Sequence, residues 1–385
     1  MTLVVLALVA FVCFFVTLQI YTKYWDYGLR ASVTFAEKAI EEGEQFVLKE
    51  TVENRKKLPL PTLVVKFEMD RNLQCLDKIA TSLTDKQYRN DAMSVMPYER
   101  VTRSIDVVGT KRGYYSIDEI SYVTSDPLFY KTFTKTDSNK ALLYVYPARS
   151  KCVKLPEIIC HMYGDYFEER MLWEDSLDFR GIRSYAPSDS MSKINWKASA
   201  KTGDLKVNQY HDSTNRRLTI FLNVSQKGVL RYYDLIEESI RITRNFIEEF
   251  VAQGIPVRII SNGVDKQTKE EIYIREGAGD AHVEACLKQL ARMDIYTDTR
   301  DMQELIRAEK MQDREVSLLI SAEQTEGMAN AYAEYAGNSG AAHWLIPIHL
   351  SEKNFLEEKI YEKTKRGIGQ NHIQTEYLVL EEMEG

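Results

Sequence analysis

The hydropathy pattern changes character along the chain. From Leu3 to Ile20 it is unbroken and apolar, LVVLALVAFVCFFVTLQI, with only Thr17 and Gln19 clearly polar. At about 1.5 Å per residue this run reaches roughly 27 Å, close to a hydrocarbon core of ~30 Å, and so predicts a single membrane crossing. Tyr21, Lys23, Tyr24, Trp25 and Tyr27 follow. They read as an interface belt, because amphipathic rings and long basic side chains favour the headgroup level. No basic segment precedes the run and no small-residue cleavage site follows it, which argues for a retained anchor rather than a cleaved signal peptide. Lys23, Arg30 and Lys38 lie on the C-terminal side, so the positive-inside rule places the soluble part in the cytoplasm, tethered to the cell membrane by one pass.

Beyond the anchor (1–27) the pattern shortens and alternates. SVTF, EQFVLKETVEN, TLVVKFEMD, ERVTRSIDVVG, RGYYSIDEISYV, FYKTFTK and ALLYVYP are separated by turn residues and predict an antiparallel β-sandwich over 28–150. Leu73 to Asn90, with LDKIATSL inside it, breaks the alternation and reads as a helical or irregular insertion. After Asn215 the pattern changes again. LTIFLNV is a short apolar run suited to a buried strand, and RYYDLIEESIRITRNFIEEFVAQG follows at helical length. Tyr232, Ile236, Ile240, Ile247, Phe250 and Val251 form its apolar stripe and Gly254 its stop. PVRIIS, EEIYIRE, VSLLIS and HWLIPIHL then read as strands, with AHVEACLKQLARM, RDMQELIRAEKMQ and TEGMANAYAEYAGNS as helices. Alternating strands and helices imply a mainly parallel sheet covered on both faces, an α/β domain over 216–385. EEKIYEKTKRGIGQ and TEYLVLEEMEG add a helix and an edge strand at the tail, and 151–215 is a junction.

Composition narrows the function classes. The formal net charge of −7 argues against a general nucleic-acid binder. Five scattered cysteines, one of them inside the apolar run, form no disulfide framework and suit a reducing compartment. No phosphate-binding GxxxxGK[ST] loop occurs. Cys152, Cys160 and His161 lack zinc spacing and read as structural, and His211-Asp212 reads as a turn or surface pair without a nucleophile signature.

The densest cluster of charged and aromatic residues lies between Asp178 and Tyr210, DFRGIRSYAPSDSMSKINWKASAKTGDLKVNQY. Arg183, Tyr185, Asp189, Ile194, Trp196, Ala200, Gly203, Leu205 and Val207 follow a spacing that resembles the tag of the bacterial and archaeal family known as domain of unknown function 58. Ser188 stands where that tag usually has Gly, and Asn195 where it has Asp. The RGYY, DPLF and VYP elements also resemble upstream markers of the family. The resemblance implies a membrane-anchored protein whose C-terminal domain is similar to a von Willebrand factor A domain and which works with a MoxR-type AAA+ ATPase in assembling or activating other proteins.

Von Willebrand factor A domains often hold Mg²⁺ through Asp-x-Ser-x-Ser after the first strand and further oxygen ligands from later loops. Here Asn223 replaces the leading carboxylate, Ser225 is kept, Lys227 replaces the last Ser, and Ser321 stands where a second carboxylate is expected, with Glu323 beside it. Loss of two carboxylates and gain of an ammonium leave little to offset dehydration of the ion, so no metal or other cofactor is expected. The reading is a non-enzymatic, membrane-anchored binding or scaffold protein. The alternatives are a metal-dependent adhesion-type module, and an enzyme using Asp189 as base with Arg183 and Lys201 binding an anion. Within the tag, Arg183, Asp189 and Lys197 are expected to form a partly buried network around Trp196, so that Trp196→Ala would cost about 3–5 kcal/mol.

Overall fold

The computed structural model describes residues 2–385 except 77–80, 84–85, 128, 173–178, 187–188, 190, 192–193, 211–216, 226–231, 298, 311–314, 338–340, 350–372 and 381–385. The chain divides into two compact units, Met1–Ala148 with Leu287–Arg292, and Arg149–Cys286 with Met293–Gly385.

The first unit begins with helix α1 (Thr2–Tyr24) and continues as strands β1 (Leu29–Phe35), β2 (Ala39–Glu41), β3 (Gln45–Asn54), β4 (Leu60–Asp70), β5 (Leu73–Cys75), β6 (Thr81–Leu83), β7 (Lys86–Val95), β8 (Arg100–Gly109), β9 (Gly113–Ser125) and β10 (Thr132–Tyr146). One sheet has the order β1-β3-β8-β5 and the other β2-β10-β9-β4-β7-β6. Alternate residues of both enclose one core, with Leu48, Val52, Leu63, Val65, Ile105, Val107, Tyr122 and Leu143 fully or almost fully buried. That alternation is what places half of each strand inward.

Two expectations fail here. Leu73 to Asn90 is not a helical insertion: its described residues hold β5, β6 and the first half of β7. The apolar alternation is missing because β7 points Gln87, Arg89 and Asp91 inward, all buried, while Tyr88 faces out. Arg89 Nε donates to Asp91 Oδ2 at 2.5 Å and Arg103 reaches Asp91 Oδ1 at 3.5 Å. The interface belt also divides. Tyr24 and Tyr27 are exposed, whereas Tyr21 and Trp25 lie in the sandwich core. Trp25 stacks on Phe133 with ring centroids 5.5 Å apart, and Tyr21 Oη donates to the Pro59 carbonyl at 2.8 Å. Lys56 Nζ donates to the Trp25 carbonyl at 2.7 Å, satisfying a carbonyl at the helix end, and burial pushes the Lys56 ammonium down to about 8.

Glu50 on β3 is buried beside this polar cluster, and burial, then the neighbouring Asp91 carboxylate, push its carboxyl up to about 8 from an ordinary 4.5. Between those values the folded state holds a proton that the unfolded chain releases. The Glu50 contribution to stability is therefore complete below about pH 4.5 and is lost as pH rises through about 8. Melting curves from pH 5 to 8 should show this downward slope in Tm, and Glu50→Gln should flatten it. An unchanged slope in the variant would contradict the assignment.

The second unit contains α2 (Leu155–Leu172), β11 (Phe179–Ser184), α3 (Trp196–Thr202), β12 (Lys206–Tyr210), β13 (Arg217–Leu222), α4 (Tyr233–Ala252), β14 (Val257–Asp265), β15 (Glu271–Gly277), α5 (Asp280–Arg292, whose last turns belong to the first unit), β16 (Met293–Asp294), α6 (Met302–Ala308), β17 (Glu315–Ile320), α7 (Glu326–Ala336), β18 (Ala342–His349) and β19 (Ile373–Leu380). Its sheet runs β15-β14-β13-β17-β18-β19, with β14, β13, β17, β18 and β19 parallel, β15 antiparallel, and β16 paired with β14. Every residue of β13 and β17 is buried, as strands covered on both faces require. On one face Phe221, Leu319, Trp344 and Ile346 pack with Met302 and Ile306 of α6 and Tyr332 and Tyr335 of α7. On α4 the residues Ile236, Ile240, Ile247, Phe250 and Val251 are buried as expected, but Tyr232 sits at the N-cap and is half-exposed. The helix ends at Ala252, and Gly254 takes the left-handed φ of +73° that a side chain would resist. The tail's edge strand is β19; its expected helix lies outside the described residues.

Candidate functional site

The strand order places a topological switch point between β13 and β17, where the chain leaves neighbouring parallel strands in opposite directions. From β13 it passes through α4 to β14 on one side, and from β17 through α7 to β18 on the other. Such switch points at the carboxyl ends of parallel strands are where open α/β sheets place ligands. Each strand ends in a polar residue immediately after its apolar run: Asn223 after β13, Ser321 after β17, and Ser261-Asn262 within β14.

These residues bond to one another. Asn223 is buried, and its Oδ1 accepts from Ser225 N at 3.1 Å, Ser225 Oγ at 2.9 Å and Asn262 Nδ2 at 2.9 Å. Its Nδ2 donates to Ser321 Oγ at 2.9 Å. Ser321 Oγ donates to the Glu323 carbonyl at 2.7 Å and accepts from Glu323 N at 3.1 Å. Asn262 Oδ1 accepts from Val224 N at 2.9 Å, while its Nδ2 also reaches the Arg300 carbonyl at 3.0 Å. Ser225 Oγ lies 3.4 Å from Glu323 Oε2. An amide can both donate and accept, which a carboxylate cannot, and that is why Asn223 can tie β13 to β14 and to the loop after β17 without an ion.

This donor set does not fit Mg²⁺. The ion requires about six oxygens in octahedral array and usually one or two carboxylates, whereas Asn223 Oδ1 already accepts three hydrogen bonds and its amino group occupies Ser321. Among the described residues no group of three or more His, Cys, Asp or Glu side chains converges in a way that could hold a metal. Lys227 lies outside the described residues. Asn262 was not singled out by sequence: Ser261 is the residue that directly follows the apolar run of β14, and the bond of Asn262 to Asn223 depends on the sheet order.

The tag forms a second, separate arrangement, the antiparallel pair β11–β12 with α3 between them. Arg183 and Asp189 do come together, in a two-pronged ion pair with NH1–Oδ2 at 2.6 Å and NH2–Oδ1 at 2.5 Å. Ala186 N donates to the same carboxylate at 2.8 Å, so Asp189 organises its own turn. Tyr185 is half-buried, and its backbone N–H donates to the Leu205 carbonyl at 2.9 Å. Asn195 caps α3 by accepting from Ala198 N at 2.9 Å and donates to Asn208 Oδ1 at 2.7 Å, a bond Asp would not make. Gly203 closes the helix at φ +79°.

The expected network around a buried Trp196 is not what forms. Trp196 is 67 % exposed and opens α3 at its first turn, where few side chains can cover it; Lys197 and Lys201 are exposed too. Lys201 is exposed on α3, while the Asp189 carboxylate is engaged by the Arg183 guanidinium and the Ala186 N–H. His161 pairs with Asp165 at 3.5 Å rather than with Cys160 or Cys152, and His343 Nε2 approaches the same Asp165 oxygen at 3.0 Å. Burial pushes the His343 imidazole down to about 4 despite that carboxylate. His211 and Asp212 lie outside the described residues.

No family profile matches the chain. Over 246 residues it is 23% identical to the uncharacterized protein YeaD of Bacillus subtilis, an alignment that takes in 63% of this chain and 57% of that protein, so the chain spans little more than half of its relative's length. Among solved structures, a non-cellulosomal cohesin from Archaeoglobus fulgidus superimposes on 30% of this chain and 91% of its own, at 9% identity and a TM-score of 0.22. The major pilin SpaD from Corynebacterium diphtheriae superimposes on 30% of this chain and 35% of its own, at 10% identity and a TM-score of 0.24.

Proposed function

We propose that this chain is a non-enzymatic, membrane-anchored binding or scaffold protein of the domain of unknown function 58 kind. On this reading its second unit is von Willebrand factor A-like, and it works on the cytoplasmic side with a MoxR-type AAA+ ATPase. The observation that carries the reading is the switch point at the strand ends, where Asn223, Ser225, Asn262 and Ser321 satisfy one another as neutral groups. A site arranged that way has the geometry of a ligand-binding switch point without an organised base, nucleophile or ion-ligand set among its described residues.

Retention of the anchor has its own support. A signal peptidase cutting after Trp25 would remove Tyr21 and Trp25 from the sandwich core. The tag supplies a surface for a partner, because an exposed Trp is the residue type most often found as a binding hot spot.

Affinity capture of the full chain from detergent-solubilised membranes tests the partnership. The expected result is recovery of a MoxR-type ATPase in near-stoichiometric amount. Trp196→Ala should leave the melting curve within about 0.5 kcal/mol of the parent and weaken capture by about tenfold or more. Recovery of no AAA+ ATPase would remove the partnership, and undiminished capture by the variant would move the contact away from α3.

A further inference from the structure

One end of the β-sandwich gathers exposed apolar side chains around the foot of α1. β4 starts there, and its first residues pair with the end of β7 (Leu60 opposite Val95) and the end of β9 (Leu63 opposite Thr124). The β7–β8 and β9–β10 turns therefore project from the same end. They carry Met96 and Tyr98, and Phe129 and Tyr130, all more than half exposed. Tyr98 and Phe129 both have positive φ, 57° and 55°, in the left-handed region that bulky side chains rarely occupy.

The first of these turns is fixed to the helix foot: Tyr98 N donates to the Lys56 carbonyl, and the Lys56 ammonium holds the last carbonyl of the helix end. The second is fixed by the buried Asp126, whose carboxylate accepts from Lys131 N at 2.7 Å and whose carbonyl accepts from Phe129 N at 2.9 Å. Backbone strain is held in place so that aromatic rings face outward.

The helix shows what they face. The stripe Phe14, Leu18, Tyr21 and Trp25 turns toward the sandwich, with Trp25 and Tyr21 in its core and Leu18 and Phe14 half-covered. Phe14 makes an edge-to-face contact with Tyr130, ring centroids 5.7 Å apart. Leu3 to Val12 stand clear of the sandwich, exposed along their length. Phe14 is about seven residues, or roughly 10 Å, further into the apolar run than Tyr21. A bilayer covering that run also covers the tip carrying Tyr130, at the ~5–10 Å depth that interfacial amphipathic segments reach. Lys23, Lys57 and Lys131 are exposed near the same end, as expected beside anionic headgroups.

We propose that this end of the sandwich is a second membrane contact, with Phe129 and Tyr130 seated among the upper acyl chains and Met96 and Tyr98 at the headgroups. The occupant is the lipid bilayer itself. The inference rests on α1 spanning the membrane, and it adds that the sandwich is held against the bilayer at a fixed inclination instead of swinging from a single helix.

The test uses the full chain in phosphatidylglycerol–phosphatidylcholine nanodiscs, with and without acyl-chain bromination, and reads the tryptophan emission added over the parent. Tyr130→Trp replaces one exposed ring by another. Its added emission should be blue-shifted and fall by about half or more with brominated lipid, as for a ring at the acyl boundary. Leu142→Trp, exposed far along β10, should be unaffected by bromination. Phe14→Trp separates the two readings. If it is quenched while Tyr130→Trp is quenched no more than Leu142→Trp, the anchor stands and the second contact is overturned. If Phe14→Trp is itself unquenched, the anchor reading fails and the inference with it.

Discussion

Alanine at Trp25 should destabilise the sandwich unit by about 3–5 kcal/mol, a cost typical of a buried core tryptophan, even though the residue directly follows a helix long and apolar enough to cross a membrane. Trp25 is 8 % exposed, stacks on Phe133, and gives its carbonyl to the buried Lys56. Removing the ring opens a cavity beside Phe133 that the surrounding strands cannot close without breaking their pairing. Tyr21→Ala adds loss of the bond to the Pro59 carbonyl. Urea denaturation of the full chain in detergent micelles, followed by near-ultraviolet circular dichroism, measures this. Tyr24→Ala and Tyr27→Ala, whose rings are exposed, serve as comparison and should stay within about 0.5 kcal/mol of the parent. Equal effects at all four positions would mean that the helix foot is not part of the core.

Glu315→Ala should cost about as much in the second unit, roughly 3–5 kcal/mol, because it strips the partner from a buried charge. Glu315 is 1 % exposed at the amino end of β17, the opposite end from Ser321, and Arg217 NH2 lies 3.3 Å from its Oε2. Thr219 Oγ1 and Tyr335 Oη both donate to its Oε1, the latter at 3.1 Å. Without the carboxylate Arg217 keeps, among the described residues, only Glu276, which is exposed, and two buried hydroxyls lose their acceptor. Glu315→Gln retains an acceptor oxygen and should cost less than Ala. A Gln variant as stable as the parent would show that the charge contributes nothing, and an Ala variant no worse than Gln would contradict the role of the buried acceptor.

Much of the fold was legible because burial is written as period. Strands such as EVSLLI and RLTIFL, covered on both faces, read as continuous apolar runs, and the sandwich strands read as alternation. Where polar residues were buried the same rule misled. β7 turns Gln87, Arg89 and Asp91 inward against Glu50 and Arg103, so its apolar pattern vanished and a strand looked like an insertion. The aromatic belt failed for a related reason: Tyr and Trp suit both a headgroup layer and a protein core, and only the helix phase of Phe14, Leu18, Tyr21 and Trp25 separates them. At the candidate site Asn223, Ser225 and Ser321 were legible from their place after apolar runs, but Asn262 depends on which strand neighbours β13, a matter of sheet order that no local pattern carries. Trp196 was misjudged because a ring in a charged segment gives no sign of which side of a short helix it lies on.

On the proposed function, α1 begins as a membrane anchor and its foot, with Tyr21 and Trp25, ends as sandwich core. Alkaline extraction of membranes from cells producing the chain, followed by intact-mass measurement of pellet and supernatant, tests it most directly. The predicted result is a membrane-retained species whose mass includes the whole of α1. A soluble species beginning after Trp25, folded and stable without Tyr21 and Trp25, would contradict it.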